Sequence, residues 1–189
     1  MSPISFTPPA GRSGDSLLGD IPSMQDEPLE MLVACHGRVR AFTDTLKRLA
    51  THLLQKGADR EAALAAGNIL RYFDLAAPKH HQDEESDLFP LLLAQAPDDA
   101  ALAADIARLR AEHLQMGEMW LQLREKLLLV REGQPADLLS DDLAQRFADT
   151  YQQHAASEEQ TVFQAAERLL DAAQLQALGR SMSERRRDR

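Results

Sequence analysis

The residue His80 is followed four and five positions later by Glu84 and Glu85 and nine later by Phe89; His154 is followed at the same distances by Glu158, Glu159 and Phe163. The shared frame is His-x-x-x-Glu. On an α-helix, four residues turn through about 400°, so the imidazole and the carboxylate stand on one face, one turn apart. Such a pair can hold one metal ion. Two further histidines, His36 and His113, fall in apolar lanes of other helical stretches. Burying four histidines and two glutamates without partners would cost roughly 1 to 3 kcal/mol each. A metal cluster satisfies all six together, so His36, His80, Glu84, His113, His154 and Glu158 form the candidate ligand set.

The scaffold for such a set has to bring four helices together. The chain of 189 residues is 44% apolar, with nine glycines and nine prolines, a size and composition suited to one helical domain with its own core. Residues 1–22 read as a flexible leader, residues 23–170 as the bundle, and residues 171–189 as a short helix with a basic tail. The first helix starts either at Ser23, which with Asp26 resembles a capping box, or at Pro28, and runs to about Lys56. The second runs from the Asp59 cap to about Ala96, with a kink or local bulge expected from Pro78 and Pro90. The third follows the Asp98-Asp99 pair and runs to about Glu132; the fourth starts near Asp137 or Ser140 and runs to about Leu170. Short connections between long helices predict antiparallel neighbours, hence an all-α, up-down-up-down four-helix bundle with a short C-terminal helical extension.

Each helix carries one lane of apolar residues with a histidine near its middle. Val33, His36, Val39 and Leu46 make the first, and Ile69, Phe73, His80 and Glu84 the second. Ile106, Leu109, His113 and Met116 make the third, and Phe147, Tyr151, His154 and Glu158 the fourth. Counted from a common end of the bundle, the four histidines fall within roughly 6 Å along its axis if the first helix starts at Ser23, and within about twice that if it starts at Pro28.

Other residues are read as support. His52 lies about 160° round the helix from His36 and is read as a surface or packing residue. His81 points about 100° from His80, although distortion at Pro78 leaves a role as a ligand or beside one open. Glu85 and Glu159 are expected to orient ligands or to be solvated. On straight helices Phe89 and Phe163 would face away from the site, and Tyr151 and Trp120 are read as core packing. Cys35 is read as a buried, inert thiol, and Arg185, Arg186, Arg187 and Arg189 as a solvated tail.

Net charge and cysteine usage bound the partners. A formal charge of -9 argues against nucleic acid, and no apolar run reaches the length of a membrane span. One cysteine fits a reducing compartment, so a cytoplasmic protein is expected.

The set Cys35-His36-Gly37-Arg38, the block from His80 to Pro90, Glu112-His113 and His154-x-x-x-Glu158 resembles the bacterial hemerythrin-like, or HHE cation-binding, family over residues 24–170. That resemblance implies a four-helix bundle with two non-heme iron ions, held by His36, His80, Glu84, His113, His154 and Glu158, with the two glutamates as bridges. It implies a protein that binds or reacts with O2, NO or peroxide in sensing, stress response or iron handling, more a binding protein than a conventional enzyme. The alternative is a di-iron enzyme of peroxide-disproportionating or iron-sulfur-cluster repair type. Donor type alone suits manganese or zinc as well. The chain departs from oxygen carriers of the family at Gly117, where they place a further histidine. A ferritin-like oxidase is disfavoured, because no histidine here has Glu three residues before it.

Overall fold

The computed structural model describes residues 27–139 and 141–187; the expected leader over residues 1–22, the Ser23 start, Ser140 and residues 188–189 lie outside them. Helix α1 spans Pro28–Lys56. Pro28 suits the first position because its φ is already helical and its missing N–H has no carbonyl to meet there. The helix ends at Gly57, whose φ of 73° lies in the left-handed region and turns its N–H back onto the Leu53 carbonyl.

The second bundle helix is continuous from Arg60 but not uniform. Helix α2, Arg60–Arg71, starts at the Asp59 cap, whose side chain accepts the Ala62 N–H at 2.9 Å. A π turn at Tyr72–Ala76 leads to α3, Ala77–Asp83, and a second π turn at Glu84–Leu88 leads to α4, Phe89–Gln95. Each π turn ends one residue before the helix-start pair that contains a proline, Ala77-Pro78 and Phe89-Pro90. A proline has no N–H for the carbonyl four residues back and its ring crowds that carbonyl. The wider i→i+5 turn, closed by Ala77 N–H onto Tyr72 O and Phe89 N–H onto Glu84 O, accommodates both problems without breaking the helix.

Helix α5, Ala100–Arg131, is capped by Asp99, which accepts the Leu102 N–H at 2.9 Å. Helix α6, Leu143–Gln160, begins later than the sequence suggests, because the aspartates before it make local turns instead. Asp137 and Asp141 accept the Leu139 and Leu143 N–H groups, and Asp142 sits at a φ of 52°, which no helix continues through. The helix breaks at Thr161 before α7, Val162–Leu169, so the fourth bundle helix is also two pieces. Helices α1, α2, α5 and α6 pack each on its chain neighbours, α6 closes onto α1, and the diagonals stay apart. Among the described residues there is no strand; the architecture is the up-down-up-down bundle.

Two separate apolar clusters fill it. The first gathers Leu46, Ile69, Phe73, Leu123 and Phe147; the second gathers Leu32, Leu88, Phe89, Ile106 and Phe163. Along every bundle helix the chain passes from one cluster to the other, and at each crossing stands a buried polar residue: His36, His80 with Glu84, His113, and His154 with Glu158. The fold thus sandwiches one polar layer between two apolar ones. Val33, placed in the first lane by its spacing, faces out at 44% exposure, and Leu32 takes the inward place.

The C-terminal helix α8, Ala172–Arg187, docks against the second cluster through Leu178 and Met182, each burial worth roughly 1.5 to 3 kcal/mol. The expectation of a solvated arginine tail is corrected here. Leu178, Met182, Arg185 and Arg186 follow i, i+4, i+7, i+8 spacing, so the docking face carries Arg185 and Arg186 inward, where they pair with the fully buried Asp83. Arg187 remains exposed.

Candidate metal centre

The six candidate residues come from five local elements and meet in the polar layer. His36 projects from α1, His80 from α3, Glu84 from the second π turn, His113 from α5, and His154 and Glu158 from α6. Their donor atoms fall into two groups that share Glu158: His36, His80, Glu84 and Glu158 in one, His113, His154 and Glu158 in the other. Glu158 presents Oε2 to His36 Nε2 at 3.0 Å and Oε1 to His154 Nε2 at 3.1 Å and His113 Nε2 at 3.7 Å. Glu84 presents Oε1 to His80 Nε2 at 3.4 Å and Oε2 to His113 Nε2 at 3.6 Å. Each carboxylate therefore spans the gap between the pair His36/His80 and the pair His113/His154.

Outer carboxylates fix three of the four rings. His36 Nδ1 donates to Glu159 at 2.9 Å, His113 Nδ1 to Glu85 at 2.6 Å, and His154 Nδ1 to Glu112 at 2.8 Å. Arg40 holds Glu159 in turn, at 2.9 Å. A proton kept on Nδ1 leaves the Nε2 lone pair directed into the layer, the tautomer a metal requires. Glu85 and Glu159 thus take the orienting role open to them in the sequence. Glu112 was not singled out for it; the available signal was its place beside His113, facing the helix that bears His154.

The donor atoms themselves ask for cations. Both oxygens of Glu84, Glu158 Oε1 and His80 Nδ1 are buried without a hydrogen-bond partner in the protein. His113 Nε2 and His154 Nε2 stand 2.9 Å apart with their Nδ1 atoms already committed, so two lone pairs face each other. Two imidazole nitrogens bound at right angles to one cation at about 2.1 Å would stand about 3 Å apart, so the pair fits a shared metal ion. The residues present therefore fit metal ions on both sides of the two carboxylates.

Electrostatics differ across the layer. Burial, then the charge of Glu158, raises the Glu84 carboxyl well above the ordinary range. Burial also pushes Glu158 upward, but the close imidazoles of His113, His154 and His36 outweigh it and hold that carboxyl well below. His80 is pushed well below its usual value by burial and then by His36. Burial acts the same way on His154, yet its contacts with Glu158 and Glu112 prevail and raise it.

Several neighbours close the site. Phe163 stacks on the His36 ring at 5.3 Å and 11°, and Phe89 on the His113 ring at 6.1 Å and 11°. The expectation that both would face away assumed straight helices; a π turn adds about one residue per turn, and the break at Thr161 redirects α7. His81 stacks on His113 at 4.0 Å, and its Nε2 lies 3.5 Å from the Tyr151 hydroxyl, but it joins neither donor group. Trp120 packs in the first apolar cluster and donates to Asp74 at 3.0 Å. His52 lies at the α1–α2 turn, 2.9 Å from Asp59. Gly117 is exposed and supplies no donor. Cys35 is buried, and burial raises its thiol.

A buried layer of four histidines and two glutamates in a four-helix bundle has a counterpart among known families. The family model described as Hemerythrin HHE cation binding domain matches residues 27–166. The chain belongs to the hemerythrin HHE cation-binding family. All six candidate donors lie inside the hemerythrin match, and α8 lies beyond it. A Haemophilus influenzae protein described as an uncharacterized protein is 36% identical to this hemerythrin-family chain over 161 residues, 85% of this chain and 91% of its own. Among the described residues no helix is long and apolar enough to cross a membrane.

Proposed function

We propose that this chain is a non-heme di-iron protein that binds or reacts with O2, NO or peroxide in sensing, stress response or iron handling. The observation that carries the reading is the double span: Glu84 and Glu158 each offer one oxygen to the His36/His80 pair and the other to the His113/His154 pair. Mixed imidazole and carboxylate donors suit iron, manganese or zinc, and membership of the hemerythrin family favours iron among them. Iron held here would supply redox chemistry and affinity for small oxidants.

The protein's own groups set the conditions for that chemistry. His36, His80, Glu84 and Glu158 would hold one ion, and His113, His154, Glu84 and Glu158 the other. Glu159, Glu85 and Glu112 keep the proton on the far nitrogen of their histidines and prevent ring rotation. Phe89 and Phe163 cover two ring faces, and the apolar clusters on either side limit water. Buried Tyr151, whose hydroxyl meets His81, holds a proton close to the His113 side. The free thiol of Cys35 suits the reducing, cytoplasmic setting proposed for the chain.

Anaerobic purification followed by metal analysis and optical spectra, before and after exposure to air, NO or peroxide, tests the proposal. The expected result is about two iron ions per chain and a spectrum that changes with at least one of the three. Fewer than one ion retained, or a spectrum indifferent to all three, overturns it.

A further inference from the structure

The two bridging carboxylates are supported unequally. Glu158 Oε2 lies 3.0 Å from His36 Nε2, whereas no protein group hydrogen-bonds either oxygen of Glu84, and His80 beside it has an unpartnered Nδ1. The position of Glu84 therefore depends on the backbone turn that carries it, and that turn is a π turn, a geometry rarely stable by itself. Asp83 precedes this turn and Asp87 lies within it, and both are gripped from outside the four-helix bundle. Arg185 pairs with Asp83 and reaches Asp87 at 2.7 Å, Arg186 pairs with Asp83 a second time, and Ser181 donates to Asp87 at 2.9 Å. Lys79, one residue before His80, donates to the Arg185 carbonyl at 2.8 Å. Asp83 adjoins Glu84 and Lys79 adjoins His80, and α8 packs on α1, α3 and the π turn at Glu84–Leu88. Glu85 on that turn also holds His113 Nδ1.

We propose that α8 is a positioning strap for the centre: Arg185 and Arg186 fix the π turn at Glu84–Leu88 and so hold Glu84 in place to bridge and Glu85 in place on His113. The strap rests on the metal-centre reading for its purpose, but its mechanical part stands on the ion pairs alone. Guanidinium forks suit this task because each can hold a carboxylate in a defined plane, which a lysine ammonium does not.

The test uses the full chain carrying Arg185→Gln and Arg186→Gln. Iron-loaded wild type and variant are challenged with a strong Fe(II) chelator, and release is followed with time. The strap predicts that iron leaves at least about 10-fold faster in the variant, the scale typical of lost support around metal ligands. Unchanged release overturns it, as does faster release accompanied by lost amide protection around His154, the mark of a generally loosened fold. The Arg185→Lys, Arg186→Lys variant is expected to recover only part of the difference. Hydrogen exchange on metal-free protein gives an independent readout: amides over residues 84–89 lose protection in the Gln variant and those around His154 do not. Unchanged exchange over 84–89 also overturns the strap. Should wild type fail to hold two ions, the functional reading falls while the exchange experiment still judges the strap. If the double variant does not fold, Arg185→Gln alone, which leaves Arg186 on Asp83, gives the same two readouts with a smaller separation.

Discussion

In the half of the centre formed by His113 and His154, both Nδ1 atoms donate to carboxylates, while in the half formed by His36 and His80 only His36 does so. The first half is organised by side-chain hydrogen bonds, to Glu112 on α5 and to Glu85 on the second π turn. The second relies on backbone: a π turn between two prolines, and a C-terminal helix that pins it. One chemistry, imidazole plus shared carboxylate, is thus held in place by two physical means. Both halves meet the π turn, one through Glu84 and the other through Glu85, and that turn is pinned by an element distant in sequence.

Four substitutions break or sharpen this contrast. Glu158 serves both halves, so Glu158→Gln has the largest expected effect: metal content falls from about two ions per chain toward zero, measured by elemental analysis of the purified protein. Glu112→Gln acts on one half alone. Loss of the acceptor for His154 Nδ1 is expected to weaken one ion by about 10- to 100-fold in chelator competition and leave the other unchanged.

The third, Glu84→Gln, reads the pH dependence of the metal-free protein. Because the folded-state value of Glu84 is raised, its contribution to stability is fully present below the unfolded value of about 4.3 and is lost as pH rises toward the folded value. Wild type should therefore lose up to about 1.4 kcal/mol per pH unit relative to Glu84→Gln above that point. Thermal melts of both proteins across that range check it, and a constant difference contradicts it. The smallest effect is expected from Phe163→Leu. It removes the ring stacked on His36 but keeps most of the apolar volume, so a loss of about 1 kcal/mol is expected in denaturant unfolding, with both ions retained.

Much of this was legible in the residues themselves. The His-x-x-x-Glu frame and the lanes around it suffice to predict a bundle with one polar layer, and Pro78 and Pro90 announce that the second helix is irregular. The Asp59 and Asp99 caps mark two helix starts that the structure also has. What stayed hidden depends on long-range pairing. The stacking of Phe89 and Phe163 follows from a π turn and a break whose rotation no periodicity supplies. Arg185 and Arg186 resemble a charged tail until Asp83, about a hundred residues away, is seen to need them. Glu112 likewise gains its role only when α5 and α6 lie side by side.

Anomalous diffraction from iron-loaded crystals tests the central claim most directly. The account predicts two iron peaks, one beside His36 and His80 and one beside His113 and His154, with Glu84 and Glu158 between them. A single peak, or iron held instead at the exposed group of His52, Asp59 and Glu61, would contradict it.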